Sequence, residues 1–163
     1  MSTLKVDTIQ STSSINAITI DTSGRVLYPQ NPSFCARNCT NPNGNGTIRI
    51  IVFPTVDFNI GSSYNSGNGR FTAPVSGVYY LTYHLFGDGN TQRHLSSLTI
   101  NGSQVYEATQ EYRGGTLDPG LSNLEAHTLQ YMNQNDYAEV RAYVKILASD
   151  NIYSCFTGYL VGS

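Results

Sequence analysis

The chain is poor in charge. Only 12% of its 163 residues are Asp, Glu, Lys or Arg, about half the usual share for a soluble domain. The formal net charge is −2 with the signs interspersed, so no basic stripe exists to neutralise phosphates, and no nucleic-acid partner is expected. No apolar run approaches the roughly 18 residues that a spanning helix needs, so membrane insertion is not expected. The opening "MSTLKVDTIQ" lacks the apolar stretch of a signal peptide, which predicts a chain made in the cytoplasm without a Sec-type export signal. Helical periodicity is also missing. No window of 11 or more residues keeps apolar positions at i, i+3, i+4 and i+7 without a Gly, Pro or Asn breaking it.

Reactive side chains are equally sparse. The three cysteines, Cys35, Cys39 and Cys155, are an odd number, which argues against a disulfide framework and for buried free thiols. Cys35 and Cys39 have no partner at zinc spacing, and His84, His94 and His127 are scattered. There is no G-x-S-x-G, no H-E-x-x-H and no phosphate-binding glycine loop. Glu107 and Glu111 lie near each other but read as solvated carboxylates of a hairpin edge. An enzyme is not expected.

What fills the gap is Asn, Ser, Thr, Gly and Tyr, arranged in strand patterns. "LKVDTIQ" and "AITIDTSGRVLYP" alternate before and after a turn at Asp21–Gly24. "PSFCAR", "IRIIVFPTVDF", "GRFTAPV", "GVYYLTYHLF", "HLSSLTI", "SQVYEAT", "NLEAHTLQYM", "YAEVRAYVKIL" and "IYSCFTGYLV" follow. Turn clusters such as "NPNGNG", "GSSYNSGNG", "FGDGN", "GGTLDPG" and "NQND" separate most of them. Asn101–Gly102 supplies both positive-φ positions of a type I′ hairpin turn. About eight to ten short strands predict an all-β antiparallel sandwich or barrel. The chain divides near Pro29–Pro32 into residues 1–31, a short β-rich arm, and residues 32–163, a self-contained β domain. An arm of that size cannot hold a core alone and should pack against a partner, most simply copies of itself.

The densest run is "RFTAPVSGVYYLTYHLF", Arg70 to Phe86. Upstream of it stand Phe53, then Asn59 after five intervening residues, Tyr64 after four and Phe71 after six. Gly77 follows after five more, then Tyr79, Leu81 and Tyr83 at alternate positions. This pattern resembles the C1q-like globular domain. "SLTINGSQV" matches that family's Asn-Gly hairpin, and "SCFTGYLVGS", with Phe156 and Gly158, its final strand. The resemblance covers roughly Pro32 to Ser163 and implies a ten-stranded jelly roll shared with tumour necrosis factor ligands. Two positions depart from the pattern: Leu81 replaces the usual Phe, and "NQND" leaves Asp136 without the usual turn glycine before it.

The resemblance also implies a homotrimer. Tyr79, Leu81 and Tyr83 share one face of their strand, while Val78, Tyr80 and Thr82 share the other, and tyrosine on both faces suits an outer face that meets a neighbouring subunit. Tyr80, Thr82 and His84 are the candidate interface residues, with His84 a candidate pH-sensitive contact. Cys35 and Cys155 fall on the first and last strands of the domain, neighbours in a jelly roll, where an oxidising compartment would permit a cross-strand bond. Several heads of this family bind calcium, for which Asp88, Asp118 and Asp136 are the available loop oxygens, too far apart in sequence to form an evident cage. The sequons at Asn38, Asn45 and Asn101 would matter only in a secretory pathway.

The leader "MSTLKVDTIQSTSSINAITIDTSGRV" running into "YPQNPSF" resembles N-terminal segments of bacteriophage virion proteins. Together the two likenesses imply a trimeric virion protein of tail-fibre, receptor-binding type. Residues 1–31 would join other virion proteins, and the head would bind a host surface glycan or protein. The candidate contact loops are 87–93, 110–120 and 148–151, with Asn90, Gln92, Tyr112 and Arg113 as their ligand-contact residues. A capsid decoration protein is the alternative, and a cellular C1q-like adhesin or lectin the second alternative.

Overall fold

The computed structural model describes residues 5–40, 47–87, 93–111, 122–143 and 154–162. They form two compact units, Met1–Asn31 and Pro32–Ser163. No helix occurs among the described residues.

In the first unit, β1 (Thr8–Gln10), β2 (Asn16–Ile20) and β3 (Val26–Leu27) make a three-stranded antiparallel sheet. The β2–β3 turn is tied by Asp21, whose Oδ1 accepts the amides of Ser23 and Arg25 at 2.9 Å each. These bonds, with the Arg25 guanidinium, hold the Asp21 carboxyl below the ordinary aspartate range. None of residues 5–31 is buried, and Ile9, Ile15, Val26, Leu27 and Tyr28 are exposed. The arm is a sheet without a core.

The second unit is a jelly-roll sandwich. One sheet has the order β12–β9–β14–β4–β6, built from Ser122–Met132, Gly77–Gly87, Cys155–Gly162, Ser33–Arg37 and Thr55–Ile60. The other has the order β11–β10–β13–β8–β7, built from Ser103–Glu111, Arg93–Ile100, Tyr137–Ala142, Arg70–Thr72 and Tyr64–Asn65. The two-residue β5 (Arg49–Ile50) pairs with the end of β13 as a sixth member of that sheet. The stretch "IRIIVFPTVDF", which reads as one strand, is therefore two. The break falls at 51–54, where Pro54 lacks an amide for a sheet ladder, and the chain leaves one sheet to join the other. Ile51 and Phe53 become buried in this crossing.

The spacing of the family pattern is explained by the core. Phe34 stacks on Tyr64 and on Phe71, each at 4.9 Å between ring centroids, and takes Phe156 edge-on at 4.9 Å. The Asn59 side chain clamps the Tyr64 backbone, donating to its carbonyl at 2.8 Å and accepting its amide at 3.1 Å. The Tyr64 hydroxyl in turn donates to the Phe53 carbonyl and accepts the Phe53 amide, both at 3.2 Å. Tyr79 donates to the Val75 carbonyl at 2.8 Å, and the Tyr83 hydroxyl pairs with Ser96 Oγ at 2.8 Å. Every buried phenol among the described residues is thereby satisfied, as burial requires. Desolvation pushes the Tyr64 and Tyr83 hydroxyls up to about 12. Leu81 fills its interior slot fully, so the departure from Phe leaves no exposed gap. Gly77, also buried, opens β9 opposite Met132.

Gly158 sits where β14 crosses this cluster. A Cβ there would lie 2.7 Å from Leu81 Cδ2, 2.9 Å from Phe34 Cε1 and 3.0 Å from the Tyr80 carbonyl, so only glycine lets the strand lie flat against the aromatics. The Asn101–Gly102 hairpin has φ of 51° and 80°, the pattern of a type I′ turn.

Candidate functional site

Pairing across the five-stranded sheet lays its outward side chains out in rows. One row reads Leu129, Tyr80, Tyr159, Ser33 and Ile60, and the next His127, Thr82, Thr157, Cys35 and Phe58. A third begins Glu125, His84, Cys155 and Arg37. Tyr80, Thr82 and His84 are thus on one face and half-buried, while Tyr79, Leu81 and Tyr83 are buried on the other. The alternation inferred for β9 is what the strand adopts.

The chemistry of this face is uneven. Leu129 is 59% exposed and Tyr131 64%, and Tyr159, Phe58 and Ile60 are exposed as well. The rings of Tyr80 and Tyr159 meet at 5.4 Å between centroids, tilted by 39°, so the middle of the face is a continuous aromatic patch. Polar order enters at one edge, where Arg37 Nε donates to both Asp57 carboxylate oxygens at 2.8 Å. A surface of this composition suits burial against another protein. Sequence reasoning missed Leu129, Tyr131, Tyr159 and Phe58. The available signal was that "NLEAHTLQYM" and "IYSCFTGYLV" carry large apolar residues at both parities.

Cys35 and Cys155 lie on this face without a disulfide between them. Cys155 stands opposite Arg37, and Cys35 opposite Thr157, so the two thiols are diagonal neighbours, and both are free. Diagonal neighbours typically lie roughly 7–8 Å apart, beyond the roughly 4.4–6.8 Å between the Cα atoms of a disulfide. The Thr157 hydroxyl instead contacts Cys35 Sγ at 3.4 Å. Burial, and then the neighbouring Cys35, raise the Cys155 thiol above the ordinary range. Burial likewise raises Cys39.

Asp136 is the only one of the three candidate calcium ligands among the described residues, and its carboxylate is already engaged. Oδ1 accepts from Asn101 Nδ2 at 2.7 Å, and Oδ2 accepts from the Asn133 amide at 2.7 Å and from Asn133 Nδ2 at 3.2 Å. These bonds, Asn101 foremost, hold the carboxyl below the ordinary aspartate range. Asn135 takes the positive φ of 73° that the family's turn glycine would supply. Asp136 is therefore a turn-closing residue. Among the described residues no group of three or more His, Cys, Asp and Glu can hold a metal. The candidate ligand loops, with Asn90, Gln92, Tyr112 and Arg113, lie outside the described residues, as do Asp88 and Asp118.

The outer face of the six-stranded sheet is built differently. Glu139, on β13, is 0% exposed although it faces away from the core. Its Oε2 accepts from Arg70 Nε at 2.8 Å, and its Oε1 from Arg141 Nε at 2.8 Å and Nη2 at 2.5 Å. Arg70 also lies 4.1 Å over the Tyr137 ring. The bond to Glu139 is the main reason that the Arg70 guanidinium is held above its ordinary range. Beside this network two cavities of about 580 and 490 Å³ open and share Ile48.

The fold is an all-β jelly-roll sandwich whose outer faces differ, one carrying an aromatic patch and the other a buried ion network. The C1q domain family model matches residues 33–161, and the chain belongs to that family, a non-enzymatic binding fold. Human and mouse complement C1q tumor necrosis factor-related protein 3 are each 30% identical over 112 residues, covering 68% of this chain and 44% of theirs. The chain thus matches less than half the length of those relatives. The globular domain of zebrafish complement 1qA superposes with a TM-score of 0.63 at 14% identity, over 80% of this chain and 97% of that one. Murine APRIL superposes at 0.64 and 8% identity, over 80% and 99%. Both confirm the C1q/tumour-necrosis-factor-like jelly roll.

Proposed function

We propose that three copies of the chain assemble through the outer face of the five-stranded sheet into a trimeric binding head. In this reading residues 1–31 fix the head to a bacteriophage particle, where it attaches the particle to a host surface glycan or protein. The observation that carries the trimer is the aromatic row Leu129–Tyr80–Tyr159, with Phe58 and Ile60 beyond it. A solvated antiparallel sheet turns polar side chains outward, and this face breaks that pattern at Leu129, Tyr131, Tyr159, Phe58 and Ile60. Domains of this family typically form homotrimers, which supports the same occupant. Tyrosine suits such an interface because a large ring is buried while its hydroxyl keeps a partner.

The arm supports the attachment role through its physics. Its three-stranded sheet buries no residue among 5–31, and exposed Ile9, Ile15, Val26 and Leu27 gain from intertwining with other copies or with a particle protein. The likeness of the leader to phage virion segments and the low-charge, Asn- and Tyr-rich composition favour a particle surface. Three weak identical sites on one trimer would gain about 10²–10⁴ in avidity on a repetitive surface. Two measurements test the reading. Sedimentation equilibrium of the full chain should give the trimer mass, and a monomer at micromolar concentration would sink the assembly. Immunogold labelling of particles with antibody to residues 32–163 should place gold at tail or fibre tips. Gold over the capsid would replace attachment with decoration, and unlabelled particles would remove the virion role.

A further inference from the structure

The two cavities on the six-stranded sheet form one groove, because they share Ile48 and lie over adjacent rows of β13, β10 and β11. Their volumes, about 580 and 490 Å³, fall in the range of small-ligand clefts. One wall, that of the first cavity, holds Arg49, Ile50 and Arg141, and the other, that of the second, holds Leu95, Gln104, Glu107 and Tyr143, with Ile48 common to both. Each wall therefore mixes hydrogen-bonding groups with apolar surface.

Three features make this a built site. First, the buried Glu139 carboxylate takes the Nε and Nη2 edge of Arg141, which fixes the guanidinium plane and leaves Nη1 for another acceptor. Second, among the described residues Arg49, Arg70 and Arg141 stand against the two carboxylates of Glu139 and Glu107, so one positive charge remains in surplus at the groove. Third, Gln104 Nε2 donates to Glu107 Oε2 at 2.7 Å, so the opposite wall is already ordered. Tyr143, 39% exposed, offers a ring face at the groove's end, and its amide is tied to the Leu95 carbonyl at 2.9 Å. Burying an ion network where apolar packing would serve stability equally well makes sense if it orients a charged group for use.

We propose that this groove binds a saccharide bearing a carboxylate, a uronate-containing glycan. Arg141 takes the carboxylate, Gln104 and Glu107 take hydroxyls, and Tyr143 packs on the C–H face of the ring. The proposal rests on the reading of the head as a surface-binding module and places its glycan on a sheet face, away from the loops at the sandwich ends. A neutral sugar would leave the surplus charge unanswered, and a purely apolar ligand would make no use of the polar Gln104 and Glu107 side chains.

The test is calorimetric titration of the full chain with oligogalacturonate and with a neutral galacto-oligosaccharide of equal length. The uronate oligomer should bind at least about tenfold more tightly than the neutral one, and Tyr143→Ala and Gln104→Ala should each weaken it about tenfold. Arg141→Gln should abolish the preference for the charged sugar, with its folding checked by thermal melting. If Arg141→Gln does not fold, loss of the preference as salt rises from 20 to about 300 mM serves in its place. Equal affinity for both sugars, no binding of the uronate, or binding indifferent to Tyr143→Ala would overturn the proposal. Adsorption of the full chain to host cells separates the two levels. If wild type and Tyr143→Ala adsorb equally, the groove is not the site while the surface-binding reading stands. If neither adsorbs, the reading itself fails.

Discussion

The two sheets of the head share one core and present opposite exteriors. Outside β9 and its neighbours an apolar patch interrupts the polar side chains, with Leu129, Tyr131 and Tyr159 exposed. Outside β13 it is polar, and its central carboxylate, Glu139, is removed from water between two guanidinium groups. Apolar exposure is relieved only by another molecule, whereas a neutralised and hydrogen-bonded carboxylate is content in the isolated subunit. The first face keeps apolar side chains in water in a single copy, and the second has its buried carboxylate fully paired. In the proposed reading the first face serves assembly and the second ligand contact.

The sharpest way to break this contrast is Tyr159→Ser combined with Leu129→Ser. The pair should weaken trimer association by about 100-fold, roughly 3 kcal/mol, while monomer stability stays within about 0.5 kcal/mol. Sedimentation velocity and denaturant titration read the two effects, and an undisturbed trimer would put the interface elsewhere. Next in size is Glu139→Ala. Breaking a fully buried pair costs about 3–5 kcal/mol. Here Arg70 and Arg141 are 36% and 31% exposed and can turn to water, so a loss of about 2 kcal/mol is expected. It should leave the oligomeric state unchanged; dissociation would tie this face to assembly.

Smaller effects probe the shared core and its turns. Tyr64→Phe should lose about 1 kcal/mol with its hydroxyl bonds. It should also soften alkaline unfolding. Phenols held at about 12 when folded and near 10 when unfolded contribute stability that is complete below pH 10 and lost as pH rises through 12. Chemical denaturation between pH 9 and about 12 follows it. The smallest change belongs to Asp136→Asn. The folded carboxyl lies below the ordinary value of about 3.9, so its contribution is present above that pH and lost as pH falls through the folded value. The variant should show a flatter acid limb, and an identical acid profile would mean that the turn does not need the charge.

What was legible in the sequence was whatever has a local period or a fixed spacing. The alternation of Tyr79, Leu81 and Tyr83 reads directly as a buried face, because side chains on a strand alternate strictly. Asn101–Gly102 reads as a hairpin because two positive φ values have few solutions. The spacing from Asn59 to Tyr64 reads as a family pattern, and its cause, a side-chain clamp on a backbone, emerges only in three dimensions. β7 was hidden because two residues inside "GSSYNSGNG" have no period to detect. The Glu139 network was half visible: "EVR" places Glu139 and Arg141 on one strand face, but Arg70 comes from 69 positions away. The exposed apolar row was illegible as a row, because its members come from strands that only the register brings together.

The order of the five-stranded sheet bears on how the head is made. β14, the last strand of the head, does not lie at an edge; it is inserted between β9 and β4. While a ribosome still holds residues 155–162, β9 and β4 each keep an open edge with unpaired amides and carbonyls. Such edges invite pairing with other nascent chains. Closure must wait for the final segment, and contacts spanning more than 100 positions are slow to form. In the proposed trimer, assembly would follow the completion of each subunit, since the face proposed to assemble does not exist until its central strand arrives.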